Sequence, residues 1–469
     1  MKKLINKTNI IYLTALIGML LYISLIFNNN LWVDESFTAC IVRGNWHEVW
    51  TDTVADTLPP FFNFFAKALT VLLGYSAPVM KFAAAIPMLL CLLLAATFVR
   101  KLLGDTVSLV YIALLISMPE LYYYGVEIRP YSWGFFFCSA AAVCVAAIVK
   151  TGRMAFWAAL GVFTALAGWT HHFALISAGM LIAWLVLYTL ICSRSEIRKL
   201  LMCIGITFIL YVPYFVIAIY QIKNASSYFS MSPLSLHSLM SDIRYPFVTH
   251  ATALSVLLLA LVVISAITGL LRTKKKLSVD SLVWLPLMSI TFLTTLTGYA
   301  VSAVSGSSIF TARYLFPSLG IFWFGAAILF SGCIEYLRSH KAGFAYSLLA
   351  AVTFAAVGLC TYSTQFSSEY DKSVNYMTEF FDNNIRDGDG YIIYESAYQI
   401  ENCMRYYYPQ LKKYDLKHID EISGNVWYFL VDGYEDELDH AIKNGLNFVY
   451  VDDFAFDRYS FKLYRLENR

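Results

Sequence analysis

Eleven stretches of this chain run for about 20 residues with scarcely a charge, each long enough for a helix to cross a hydrocarbon core of roughly 30 Å. They lie near 9–27, 78–99, 106–124, 132–149, 154–171, 173–192, 200–220, 253–271, 280–302, 315–337 and 342–363. A spanning helix needs about 20 largely apolar residues, so the runs read as helices. Of the 469 residues, 59% are hydrophobic and only 14% charged, against roughly 25% charged in a soluble domain. The missing charge implies a surface turned to lipid. A net charge of +2 excludes the strongly basic class that binds nucleic acid.

Basic residues gather in a subset of the connections: Lys2, Lys3 and Lys7; Arg100 and Lys101; Lys150 and Arg153; Arg194, Arg198 and Lys199; Arg272 and Lys274 to Lys276; Arg338 and Lys341. They occupy every second connection if the short segment 60–75, which carries Asn63 and Lys67, does not cross. The positive-inside rule then puts them in the cytoplasm. On this reading 60–75 is interfacial or re-entrant and the chain makes about 11 crossings, or 12 to 13 if that segment spans. The outside receives 28–59, 120–131, the 171–173 turn, 221–252, 303–314 and everything after 364. In the first outer loop, 28–59, Phe37, Ile41, Val42, Trp46, Val49 and Trp50 fall at helical spacing, which suits an amphipathic helix in the membrane interface. Met1-Lys2-Lys3 and the apolar run to Phe27 have the look of a signal peptide, but Asn28-Asn29-Asn30 follow without a small-residue cleavage pattern. A retained first helix is expected.

Residues 1–363 therefore read as a membrane domain. From 364 the composition turns soluble. Asp371 to Ile385 has the pattern of an amphipathic helix. Tyr391 to Tyr394, Val426 to Val431 and Phe448 to Val451 read as strands, with a helix over Glu435 to Lys443. The expected fold is a polytopic α-helical membrane protein carrying a small extracytoplasmic α/β domain over 364–469. That domain has no Gly-rich strand-to-helix turn of the nucleotide-binding kind. Seven of the nine cysteines sit in apolar runs, where they act as small packing residues, and no CxxC or Cys/His cluster suggests a structural zinc site. No internal repeat is evident.

On this topology one membrane face collects the ionisable residues. Asp34-Glu35 follow the first helix. Asp56 precedes Leu58-Pro59-Pro60. Glu127-Ile128-Arg129-Pro130-Tyr131, His171-His172 and Arg313-Tyr314 mark later outer turns. Charged groups near bilayer depth are costly, so they tend to pair or to work. Each also has a plain structural reading: a solvated acidic pair, a Glu127–Arg129 ion pair, an interfacial histidine pair, an arginine reaching for headgroups.

Together, in their order and spacing, these elements resemble the GT-C membrane glycosyltransferases. The resemblance is to the branch of protein O-mannosyltransferases and lipid A aminoarabinose transferases, glycosyltransferase family 39 and its bacterial relatives. Asp34-Glu35 resemble the family's acidic pair in the first outer loop, and Leu58-Pro59-Pro60 its His-Pro-Pro-like element. Glu127 to Tyr131 resemble its acidic-x-Arg-Pro-Tyr element, Trp169 to Phe173 a Tyr-Thr-His-Tyr-like element, and Arg313-Tyr314 the start of a late helix. The resemblance covers roughly 10–320. It departs at Leu58, which stands where the family has His, so any role of that residue is absent or falls to Asp56.

The resemblance implies a sugar donor linked to polyprenyl phosphate and a single, inverting displacement. It implies Asp34 as general base, with Glu35 orienting it or the acceptor. Arg129 and Arg313, with Lys67 as a third candidate, would hold the donor phosphate. Asp56, Glu127, Tyr131, His171, His172 and Tyr314 would line the substrate site. A divalent metal is an open question, since some GT-C enzymes use one and others do not; Asp34, Glu127 and His171 are the candidate ligands. The acceptor would be a lipid, protein or glycan hydroxyl, and the setting a bacterial plasma membrane. The C-terminal domain would recognise the acceptor or regulate. Two other classes compete: a lipid-linked glycan flippase or exporter, and a polymerase or ligase of another fold, for which His237, Asp242 and Arg244 of 221–252 are the obvious candidates. A non-catalytic member of the same fold also fits.

Overall fold

The computed structural model describes residues 6–228, 234–273, 279–306, 308–338, 342–367, 369–393, 398–431, 446–456 and 459–467. Its helices are α1 (Lys7–Leu25), α2 (Val33–Arg43), α3 (Trp46–Ala55), α4 (Phe61–Leu73), α5 (Ala77–Leu94), α6 (Arg100–Leu103), α7 (Asp105–Leu115), α8 (Leu121–Val126), α9 (Tyr131–Thr151), α10 (Met154–Thr170) and α11 (His172–Cys192). They continue with α12 (Ile197–Tyr228), α13 (Leu236–Arg244), α14 (Thr252–Thr273), α15 (Val279–Ser305), α16 (Phe316–Arg338) and α17 (Gly343–Phe366). A π-helical turn, Ala95–Val99, joins α5 to α6. Among the described residues nine helices are long and apolar enough to cross a membrane, and α4, α7 and α10 are shorter apolar helices. The chain is a polytopic α-helical membrane protein. The expected basic positions Lys2, Lys3, Lys274 to Lys276 and Lys341 lie outside the described residues.

These helices are apolar all round, so which face meets protein is decided by size and spacing. α1 buries Ile11, Ala15, Gly18, Tyr22 and Leu25, at intervals of four and three, and turns Leu13, Leu16 and Leu20 outward. α9 and α16 form the buried centre of the bundle. They cross closely because Gly320 has no side chain: a Cβ there would stand 2.5 Å from Phe135 O. Small residues at a crossing are the usual way for membrane helices to gain dispersion contact.

The expected single span over 106–124 is corrected. α7 stops after Leu115, and the chain turns through 116–120 before the short α8. Pro119 removes a backbone donor and hinders the preceding turn, and Glu120 takes a left-handed φ of 66°, a conformation costing about 1–2 kcal/mol for a side chain with a Cβ. Tyr22 Oη meets the broken end by donating to Leu115 O at 2.9 Å. As a result part of the expected 120–131 loop is helical, and the chain delivers 127–131 to the end of the bundle.

The single amphipathic helix expected in 28–59 is two helices. Gly44 ends α2, and Asn45 starts α3 by accepting from His47 N and Glu48 N, while Glu48 returns a bond to Asn45 N. Asp34 and Glu35 therefore lie within the first turn of a helix, not in a loop before one. α4, over the segment read as interfacial, has 13 residues, about 20 Å and too short to span.

The C-terminal part carries α18 (Glu369–Asn384), β1 (Gly390–Ile393), α19 (Tyr398–Tyr407), β2 (Lys412–Lys413), β3 (Val426–Val431), β4 (Phe448–Phe456) and β5 (Tyr459–Leu466). The sheet runs β2-β1-β3-β5-β4. β1 is parallel to β2 and β3; β5 is antiparallel to β3 and β4. Alternation along β3 gives it two faces. Trp427 and Phe429 pack with Val374, Met377 and Phe381 of α18 and with Ile400, Cys403 and Met404 of α19. Tyr428 and Leu430 pack on the other face with Ile419, Ile422 and Phe448. α19, β2 and β5 were not anticipated from sequence. The helix expected over Glu435 to Lys443, and Tyr394, lie outside the described residues.

Candidate functional site

The site grows from the N-terminus of α2. Glu35 stands at its third position, and its Oε2 accepts from Trp32 N at 3.3 Å, closing one half of a capping box. Oε1 of the same carboxylate accepts from Ile128 N at 3.0 Å. Glu35 thus ties α2 to the α8–α9 connection and is itself buried. Asp34, one residue earlier, faces elsewhere: its Oδ2 accepts from Arg313 Nη1 at 2.8 Å, with both side chains partly open. Two carboxylates in the first helical turn are also favoured by the helix dipole.

Arg129 comes in from the α8–α9 connection. Its Nη1 donates to Thr38 Oγ1 at 3.0 Å, and Thr38 Oγ1 in turn donates to Asp34 O at 3.1 Å. Thr38 is one helical turn beyond Asp34, so the helix presents both on one side. Burial works against the Arg129 charge, but Asp34 and Asp56 outweigh it and keep the guanidinium firmly charged. The Nε atoms of both Arg129 and Arg313 are buried without a hydrogen-bond partner.

Three rings pack against this pair of cations. His171 lies 5.6 Å from Tyr131 and 5.1 Å from Tyr314, between ring centroids, and Arg313 stacks over Tyr314 at 5.8 Å. His171 Nδ1 accepts from Phe173 N at 3.2 Å, which leaves the proton of the neutral ring on Nε2. Burial, with help from His172 and the two arginines, holds the His171 pKa well below its ordinary value, so the ring is a neutral donor at physiological pH. His171 Nε2 and Tyr131 Oη are buried and unpartnered. Four N–H or O–H groups thus lack acceptors in one small region, the polarity of an anion site.

Glu127 is 4% exposed, and neither carboxylate oxygen has a hydrogen-bond partner. It does not pair with Arg129, whose Nη1 goes to Thr38. Burial, and then the neighbouring Glu35, push its pKa well above the usual carboxylate range. Asp56 is also pushed up, by burial, against the pull of Arg129. The Asp56 segment is clamped from outside the cluster: His172 Nε2 meets Thr57 O at 3.2 Å, and Gln221 Nε2 donates to Thr53 O and Leu58 O. Leu58 is buried, and its carbonyl rather than its side chain makes the polar contact.

Asp34, Arg129, Arg313, Glu127, Tyr131, His171 and Tyr314 come together, with Asp56 beside Arg129. Lys67 does not join them. Its Nζ donates to Val42 O at 3.1 Å, eight residues or about 12 Å along α2 from Asp34. Asp242 is engaged by Tyr299 Oη at 2.8 Å. Among the described residues no three His, Cys, Asp or Glu side chains group to hold a metal ion. Asp34 faces a guanidinium and His171 Nδ1 is taken, so these two do not converge with Glu127 as a donor set. Sequence reasoning missed Thr38, whose only signal is its one-turn spacing from Asp34. It also missed α19, which backs α2: Tyr407 Oη donates to Leu31 O, and Arg43 donates to Arg405 O and Tyr406 O.

No family model matches this chain, and no curated protein matches it. Among solved structures it is similar to ArnT from Cupriavidus metallidurans bound to undecaprenyl phosphate. The two share 12% identity and a TM-score of 0.62, over 97% of this chain and 98% of the other. The apo state of that protein matches with 12% identity and a TM-score of 0.58, over 98% of both chains. At this identity the likeness is one of fold: the chain has the GT-C architecture over nearly its whole length.

Proposed function

We propose that this chain is an inverting glycosyltransferase that moves a sugar from a polyprenyl-phosphate donor to an acceptor hydroxyl, or a similar nucleophile, at the outer face of the membrane. The observation that carries the reading is the Asp34 carboxylate beside two guanidiniums, that of Arg129 buried and that of Arg313 half-buried, each with an unmet Nε–H. A GT-C neighbour that binds undecaprenyl phosphate supports the choice of donor lipid.

In this mechanism Asp34 takes the proton of the acceptor hydroxyl as its oxygen attacks the anomeric carbon. The new C–O bond forms as the bond from that carbon to the phosphate oxygen breaks. The electron pair leaves on the phosphate, while the sugar passes through an oxocarbenium-like transition state. Arg129 and Arg313 stabilise the growing phosphate charge, which is larger in the transition state than in the bound donor. Neutral His171 and Tyr131 add donors without adding charge. Glu35 positions the 127–131 segment; Glu127, Asp56 and Tyr314 complete the pocket. The C-terminal domain covers this face and the protein resides in a bacterial plasma membrane.

The test is sugar release from radiolabelled polyprenyl-phosphate hexoses and aminoarabinose by the purified protein, beside Asp34→Asn and with an acceptor extract. Release by the wild type and its loss in the variant support the transferase. Intact donor in every combination would count against it and in favour of a flippase. A parallel reaction with chelator reads out any need for a divalent metal.

A further inference from the structure

Next to the Asp34 cluster lies a second space, a cavity of about 370 Å³ bounded by the outer ends of α1 and α17 and by the 28–32 segment. Asp34 and Glu35 divide between the two. Asp34 pairs with Arg313, while Glu35 stands in the cavity wall with Glu127 and Gln365. Phe27, Trp32 and Phe366 supply aromatic surface. Lys81 is the cation in the lining, and its Nζ is engaged by the carbonyl of Asn30, another lining residue, at 2.8 Å.

The wall therefore presents acceptors. The Glu127 carboxyl group, nine-tenths buried or more with both oxygens unpartnered, is the clearest sign. Leaving such a group unmet is expensive, so a structure that keeps one expects a donor from elsewhere. The Glu35 carboxylate repels phosphate, sulfate and carboxylate groups, and it, the neutral carboxyl of Glu127 and the amides of Asn28, Asn30 and Gln365 offer oxygens to hydroxyls and amines. Aromatic faces beside directional polar groups suit the alternating apolar and polar surfaces of a sugar ring. The volume sits at the low end of small-molecule sites, which admits a head group and not a lipid chain. Phe27 and Phe366 are largely exposed at the mouth, where a lipid-borne head group would enter.

We propose that this cavity is the acceptor site and takes a non-anionic, hydroxyl-rich glycan head group that donates hydrogen bonds to Glu127 and Glu35. The proposal rests on the reading of Asp34 as the base, because the cavity is walled by Glu35, the next residue along α2, and neither Arg129 nor Arg313 lines it. It divides labour between neighbouring residues of α2: the phosphate of the donor belongs to the side of Asp34, the acceptor to the side of Glu35.

Binding of simple methyl glycosides to the intact protein in lipid nanodiscs, followed by saturation-transfer NMR, tests this without donor or turnover. The probes are a neutral glucoside, a cationic glucosaminide and an anionic glucuronide. The neutral and cationic glycosides are expected to bind at least about tenfold more tightly than the glucuronide. Glu127→Ala and, separately, the milder Gln365→Ala are expected to weaken the neutral glycoside at least several-fold. Equal or better binding of the glucuronide overturns the proposal. So does unchanged binding in both variants, or no binding of any glycoside at millimolar concentration. Because the readout is independent of sugar transfer, glycoside binding without transferase activity would sink the proposed reaction and leave the cavity as a glycan-binding site.

Discussion

Arg313 Nη1 donates to Asp34 Oδ2 at 2.8 Å, joining the start of the α16 region to the first turn of α2 across 279 positions of sequence. In the proposed reaction these groups have opposite tasks, one to accept a proton and the other to hold a phosphate. Without donor each satisfies the other. An arriving phosphate competes for Arg313 and frees the carboxylate as it binds. Asp34→Asn should therefore cut turnover by roughly 10²–10⁴, while affinity for undecaprenyl phosphate is kept or improved. Lipid binding measured by native mass spectrometry checks this; a variant that loses lipid along with turnover would refute the competition.

Thr38 carries the Arg129 guanidinium on its hydroxyl. Thr38→Val keeps the shape and removes the acceptor. The expected loss is about 1–2 kcal/mol of transition-state binding, near tenfold in kcat/KM, for a hydrogen bond to a charged group. The melting temperature should stay close to wild type. A large drop in melting temperature with normal kcat/KM would mean that Thr38 serves the fold alone.

α19 holds α2 from the side away from the bundle. Tyr407 Oη meets Leu31, and Arg43 caps the last carbonyls of α19 through two bonds of 2.8 and 2.9 Å. Double substitution Arg43→Ala/Tyr407→Phe should loosen this contact by on the order of 2–3 kcal/mol. Faster amide exchange across 31–38 and a fall in kcat are expected, with membrane insertion unchanged. Unaltered exchange in that segment would show that the contact does not brace α2.

The raised pKa of Glu127 has a definite sign. The folded protein binds this proton more tightly than the unfolded chain, whose Glu titrates near 4.3. No penalty exists below that value, and stability is lost as pH rises from there through the folded pKa. Glu127→Gln removes the titration. The variant should match wild type near pH 4 and gain in melting temperature relative to it between pH 5 and 8. A gap that is constant with pH would mean Glu127 is ionised in the folded state.

The membrane character of the chain was legible because it rests on run length and charge alone. α7 shows where that signal ends: the run 106–124 is long enough to cross, and Pro119-Glu120 alone hint at the break that brings 127–131 to Asp34. The members of the cluster could be named, because charge at a membrane face is rare, but not their pairing. Asp34 with Arg313, and Arg129 with Thr38, are tertiary facts with no local pattern. Lys67 illustrates the converse: a lysine on an interfacial helix looks like a phosphate ligand, yet its ammonium closes the far end of α2. The split between α2 and α3 was readable in Gly44-Asn45 followed by Glu48, a capping box masked by continuous apolar spacing.

Trp32 and Val33 belong to the core of the C-terminal domain, although the chain reaches them some 340 residues before α18. Burying an indole and an isopropyl group contributes on the order of 2–5 kcal/mol, a sizeable part of what a small domain has. The two side chains immediately preceding Asp34 are thus plugs in a socket that the last hundred residues provide. A C-terminal domain grafted from another protein of this architecture would have to bring a socket of the same shape, or it would leave α2 without its seat. The start of α2 and the C-terminal domain therefore fit each other only as a matched pair.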